Sequence, residues 1–150
     1  VPLIIAKLSL IVPINWAVSP VLEFADYPSR SIMLIAGTIL YALGLWIFHR
    51  SHADLGTNWS QTLEIKEGHH LVTDGVYNQI RHPMYLAMLI FALGQALVIP
   101  NYLAGPSFLI GSLLLFAFRV RREERMMIDE FGDQYASYCE RSERLFPGIW

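Results

Sequence analysis

The sequence predicts an all-α protein, an integral-membrane helical bundle with about four transmembrane helices, a cytoplasmic loop and a C-terminal amphipathic helix. Composition and arrangement both point there. Hydrophobic residues fill 54% of the 150 positions and charged residues only 16%, against about 25% charge in an ordinary soluble domain. The charge is also unevenly placed, since long stretches carry none and the segments between them are dense in it. A chain of 150 residues has room for one domain, here read as residues 1–150.

Four apolar stretches carry the prediction, at about 3–18, 32–48, 84–99 and 103–118. The first is interrupted by Lys7 and Asn15, and the second has no charge. At the helical rise each reaches about 24–26 Å, slightly short of a hydrocarbon core of about 30 Å. Buried helices of a soluble bundle keep a polar face at helical spacing, and the last three stretches show almost none. The first is too long for a signal peptide and no small-residue cleavage pattern follows it. The chain opens on Val1 rather than Met, consistent with an upstream span outside it. Pro20, Glu23, Asp26 and Pro28 mark the first connection. Pro100, Asn101, Gly105 and Pro106 mark a tight turn that makes the last two stretches an antiparallel hairpin.

Basic residues set the orientation. Arg50, Lys66 and Arg81 lie between the second and third stretches, and Arg119, Arg121, Arg122, Arg125, Arg141 and Arg144 follow the fourth. The opposite side offers Arg30. Residues 50–82 and 119–150 therefore form one cytoplasmic cap, which a soluble cofactor made in the cytosol would meet. Past Phe118 the helix continues, with Met127, Phe131, Tyr135 and Tyr138 in one apolar stripe that rests on the membrane or on the middle loop. Gly132, Pro147 and Gly148 bend or end it. The net charge of -2 excludes a generally basic nucleic-acid binder, and Cys139, the only cysteine, excludes an internal disulfide. The sequence sets no oligomeric state.

Two constellations carry candidate chemistry. The middle loop runs Gly68-His69-His70-Leu71-Val72-Thr73-Asp74-Gly75-Val76-Tyr77 and closes with Arg81-His82-Pro83-Met84-Tyr85 at the mouth of the third stretch. Pro83 suits a first helical turn, and the amides beside it favour anions or acceptor groups. Gly68 and Gly75 allow tight turns that fold the loop back. Arg119, Arg121, Arg122, Glu123 and Glu124 form the second constellation. Arg119 and Glu123 share a helix face and either pair with each other or receive a ligand. Arg placed N-terminal to Glu is the poorer order for a pair, and adjacent carboxylates at a membrane boundary call for a cation. A ligand with a positive centre supplies one. His49 and His52 read as interfacial, Tyr77 and Tyr85 equally as interface aromatics, and Trp59 and Trp150 as anchors.

These two motifs together resemble the isoprenylcysteine carboxyl methyltransferases and related prokaryotic membrane methyltransferases. The likeness covers roughly residues 55–148, with Phe131, Gly132 and Tyr135 continuing the second motif. It implies that His69, His70, Leu71, Val72 and Tyr77 line an S-adenosylmethionine pocket, completed by His82, Pro83, Met84 and Tyr85, with Glu123 binding the cofactor from the tail. Arg119 takes the position that meets substrate. The family implies a lipophilic substrate entering from the bilayer, contact with membrane lipids, and an active site facing the cytoplasm of a prokaryotic inner membrane. Methyl transfer from a sulfonium is an in-line displacement, so orientation and water exclusion do most of the work. A carboxylate acceptor needs no base and suits a forked contact with Arg119. An amine, phenol or thiol acceptor, a phospholipid headgroup included, brings in His82 or Glu124 as base. Three rival readings are a di-iron enzyme, for which five histidines are too few, a nicotinamide-dependent membrane reductase of related architecture, and a non-catalytic adaptor on anionic lipid.

Overall fold

The computed structural model describes residues 2–56 and 70–146. Five α-helices follow in order: α1 (Pro2–Val18), α2 (Ser31–Leu55), α3 (Pro83–Val98), α4 (Ala104–Phe131) and α5 (Asp133–Arg141). Among the described residues, two short 3₁₀ helices, Pro20–Ala25 and Gly75–Asn78, sit in the connections. No strand occurs among the described residues, so the fold is all-helical there.

Boundaries follow local chemistry. The Ser19 side chain accepts from the Val21 amide at 3.3 Å, opening the first 3₁₀ helix. α2 runs past its apolar stretch to Leu55, because nothing breaks it before Gly56, at φ 54. Residues 50–55, expected in the connecting loop, are therefore helical. Pro83 occupies the first turn of α3, where its missing donor costs nothing. α4 continues without a break beyond Phe118 until Gly132, whose φ of 48 suits glycine.

α2 packs on α3, α3 on α4 and α4 on α1. The α2–α3 contact is backbone against backbone. A Cβ on Gly37 would meet the Gly94 carbonyl at 2.8 Å, and one on Gly94 would meet the Gly37 carbonyl at 2.9 Å. Small residues permit this approach, the device by which helices associate in lipid. Between α3 and α4, Leu86, Phe116 and Val120 form a buried cluster with Ile80 and Leu145 from the cap segments.

α2 and α4 are long and apolar enough to cross a membrane, and only 11% of the most apolar window of α2 is buried. Ile35, Ile39, Leu45 and Trp46 all stand exposed on α2. An apolar face of that extent belongs in lipid. α1 and α3 have 17 and 16 residues, so length alone marks two crossings rather than the four expected.

One end of the bundle is closed by a polar knot. Asn101 is 0% exposed. Its amide donates to the Leu22 carbonyl and to Asp26 Oδ1, both at 2.7 Å, and its Oδ1 accepts from the amides of Leu103 and Ala104 at 2.9 and 2.8 Å. Trp16 Nε1 donates to the same Asp26 oxygen at 2.8 Å. An antiparallel bridge, Asp26 to Asn101, locks the two connections together. The sequence marked Asn101 and Asp26 as turn residues, without their pairing.

Candidate functional site

The other end is built from the start of α3, the polar part of α4, α5 and the segments beside them. Asp54, near the end of α2, takes the Val76 amide on Oδ2 at 2.9 Å and pairs with Arg50 through Oδ1 at 3.2 Å. Gly75, at φ 60, lies so close to this carboxylate that a Cβ has no room. Tyr77 is thereby turned inward, its hydroxyl donating to the Ser51 carbonyl at 3.4 Å. The Tyr77 carbonyl accepts from the Tyr138 hydroxyl of α5 at 2.5 Å. Middle loop and tail then pair through backbone. Ile80 and Glu143 form a parallel bridge. The Glu143 amide donates to Gln79 at 2.8 Å, Arg81 donates to Glu143 at 2.7 Å, and His82 donates to Arg144 at 3.1 Å.

This junction brings the charged residues together. Glu124 is 8% exposed. Arg144 meets both its oxygens, through Nε at 3.0 and 3.1 Å and through Nη2 at 2.9 Å, and Arg81 Nε reaches it at 3.3 Å. Arg81 also donates through Nη1 to the carbonyls of Cys139 and Ser142, stitching α5 in place. Glu124 lies beyond the apolar stretch of α4. Burial alone raises its pKa, but the contacts with His82 and Arg144 outweigh that and hold it at about 2. Desolvation pushes Tyr138 up to about 12 and moves Tyr77 and Tyr135 upward too. These phenols are neutral donors near neutrality.

Glu123 is less enclosed. Its Oε1 accepts from the Tyr85 hydroxyl at 2.6 Å and pairs with Arg119 Nη2 at 3.1 Å, while Oε2 lies 3.8 Å from His82 Nδ1. The Arg119–Glu123 ion pair, disfavoured on sequence order, is formed. Orientation within a helix is worth tenths of a kcal/mol, which the Tyr85 contact and partial burial override. Three buried side-chain atoms have no hydrogen bond among the described residues, His82 Nε2 and Arg119 Nε in this cluster and Ser112 Oγ elsewhere on α4. Glu124 Oε1 sits 3.5 Å from His82 Nε2 but outside hydrogen-bonding geometry. His82 thus stands between two carboxylates with a ring nitrogen unspent.

Of the residues singled out in the sequence, Arg119, Glu123, Glu124, His82 and Tyr85 converge on this cluster, with Pro83 buried in the same turn and Met84 half-buried beside it. Tyr77 lies beneath it, under Tyr138. His70 is exposed and Leu71 and Val72 are half-buried in the approach to the 3₁₀ turn. His69, Lys66, Gly68, Trp59, Pro147, Gly148 and Trp150 lie outside the described residues. Arg144, Asp54, Tyr138 and Ser142 gained no site role from sequence, and Arg81 and Arg144 were read chiefly as orienting charges. An apolar groove of about 170 Å³ opens one turn along α3, lined by Gly44, Leu45, Phe48, Ala87, Met88, Phe91 and Phe108.

Residues 32–129 match the Isoprenylcysteine carboxyl methyltransferase (ICMT) family. The chain belongs to that family. The match begins at the start of α2, so the ICMT pattern reaches further toward the N-terminus than the two motifs indicate. The chain is 35% identical over 112 residues to the protein-S-isoprenylcysteine O-methyltransferase of Schizosaccharomyces pombe, an overlap of 71% of this chain and 46% of the yeast protein. It is 32% identical over 117 residues to protein-S-isoprenylcysteine O-methyltransferase B of Arabidopsis thaliana, covering 78% of this chain and 57% of that one. A solved structure of the eukaryotic intramembrane Ras methyltransferase ICMT superposes with a TM-score of 0.73 at 27% identity, over 97% of this chain and 52% of that one. The chain spans about half the length of the curated ICMT relatives it matches.

Proposed function

We propose that this protein transfers a methyl group from S-adenosylmethionine to a lipophilic acceptor, in the first place the carboxylate of an isoprenylcysteine-like substrate. The observation that carries the reading is the joining of loop and tail, which sets Glu123, His82, Arg119 and Tyr85 side by side, while Ala87 and Met88 of the next turn of α3 line an apolar groove. The residues fit the cofactor. Glu123 Oε2 is the least engaged carboxylate oxygen of the cluster and suits an ammonium, while the unspent His82 Nε2 adds a polar contact. S-adenosylmethionine, when bound, supplies a methyl group on a positive sulfur. Arg119 keeps Nε for the acceptor carboxylate while Nη2 is held by Glu123, so the guanidinium is fixed before the acceptor arrives. A carboxylate acceptor is already ionised, so no proton has to move.

Glu124, a candidate base on sequence, has a different role in this reading. Its carboxylate is engaged by two arginines, lies beside His82, and is held ionised far below neutrality, so we assign it to positioning. His82 is the remaining candidate base for an amine, phenol or thiol acceptor. We also read α1 to α4 as four crossings, with loop and tail on the cytoplasmic side. α1 and α3 reach about 24–26 Å, near the thickness to be crossed. A single cysteine at exposed Ser137, in a Cys139→Ser background, should react with an impermeant maleimide in inside-out vesicles only. Labelling from the outside ends the topology.

A labelled-methyl transfer assay with a panel of lipophilic acids, amines and thiols tests the activity. Label should move to a prenylated cysteine and leave on mild alkaline treatment, as a methyl ester does. No transfer to any of the panel, with S-adenosylmethionine left unbound, removes the proposal.

A further inference from the structure

The outward side of α4 carries a pattern the site does not use. Ile110, Leu114, Phe118, Arg121 and Arg125 fall at i, i+4, i+8, i+11 and i+15, a strip about 80° wide on a helix. All five are exposed, whereas Phe116, Val120 and Glu124 of the same helix are buried against neighbours. The strip changes character once, from apolar to basic, where the apolar stretch of α4 ends. Arg122 is exposed at its rim. The ion pairs of the described residues engage Arg50, Arg81, Arg119 and Arg144, and none reaches Arg121, Arg122 or Arg125.

We propose that this strip binds an anionic phospholipid, with an acyl chain along Ile110, Leu114 and Phe118 and the headgroup phosphate on Arg121 and Arg125. The geometry matches such a lipid at both ends. Arg121 and Arg125 begin about 4.5 and 10.5 Å beyond Phe118 along the axis, which is headgroup height once Phe118 lies among acyl chains. A guanidinium forks onto phosphate oxygens. A zwitterionic headgroup brings its own cation and leaves these charges uncompensated, whereas a net-negative one neutralises them. Each basic residue at a membrane surface favours anionic lipid about fivefold. Arg119 and Glu123 occupy the inner side of the same helical turns, so a lipid gripped outside sets how deep the reactive cluster sits. The proposal is independent of the methyl-transfer reading.

The full chain, reconstituted in phosphatidylcholine bilayers containing a minority of phosphatidylglycerol, provides the test. After detergent extraction, retained lipids are counted by native mass spectrometry. The wild type should keep phosphatidylglycerol over phosphatidylcholine by about fivefold or more relative to the bulk ratio, and high salt should weaken the preference. R121Q/R125Q should lose it. R30Q/R141Q removes the same charge from exposed arginines off the strip and should keep it. Equal retention of both lipids by the wild type, an undiminished preference in R121Q/R125Q, or an equal loss in R30Q/R141Q overturns the proposal.

Discussion

The two ends of the bundle use the same backbone device for opposite purposes. At one end the Asp26–Asn101 bridge is antiparallel, at the other the Ile80–Glu143 bridge is parallel, and each ties two connections that neither helix packing nor chain proximity would join. The Asn101 end spends its polar groups. Asn101 gives its amide to two acceptors and its oxygen to two donors, and such a network fixes structure and does little else. The Glu124 end is saturated only on one side. Glu124 is enclosed, while Glu123, His82 and Arg119 next to it retain capacity. Adjacent glutamates on one helix thus differ, Glu124 being enclosed by two arginines and Glu123 only partly engaged.

Breaking each part in turn sharpens this contrast. Glu124→Ala leaves the half-buried Arg81 and Arg144 without their carboxylate, a loss on the order of 3 kcal/mol. It should lower the thermal midpoint and speed amide exchange at Arg81 and His82. Unchanged exchange there would dismiss the positioning role. Glu123→Ala and His82→Ala should weaken S-adenosylmethionine binding by calorimetry about 100-fold with the fold kept, and normal binding in both removes the pocket assignment. Arg119→Ala should leave that affinity alone and reduce turnover by about 30-fold or more, and unaltered turnover argues against its substrate contact.

Smaller effects belong to the opposite end and to pH. Asn101→Ala should cost about 1–3 kcal/mol yet leave cofactor affinity as it was. A drop in affinity would show that the two ends are coupled. Acid acts on Glu124. Because its folded pKa of about 2 lies below the ordinary 4.5, the unfolded chain takes up the proton first as pH falls. Its stabilisation is complete above about 4.5 and drains away as the pH drops towards 2. The midpoint difference between wild type and Glu124→Gln should shrink over that window.

The helices and their apolar runs were legible because periodicity and composition are local. The two motifs were legible through the family they resemble. What the sequence could not convey is pairing at a distance. Arg81 and Glu124 are 43 positions apart, Arg144 and Glu124 are 20, and Asn101 finds the carbonyl of Leu22 79 positions away. No propensity encodes such partners. Arg119 and Glu123 show the reverse case, a pair suggested by spacing and discounted on orientation, which a third residue, Tyr85, then stabilised. α2 outruns its apolar stretch because the segment Arg50 to Leu55 is polar yet holds no Gly or Pro to end the helix before Gly56.

The parallel bridge at Glu143 also has a consequence for biosynthesis. The described apolar helices α1 to α4 all precede residue 143, so they are translated while Glu124 still lacks Arg144 and His82 its backbone partner. The Glu124 end therefore closes after these helices are made. A nascent chain stopped at residue 142 should hold α1 to α4 while Glu124 still waits for Arg144.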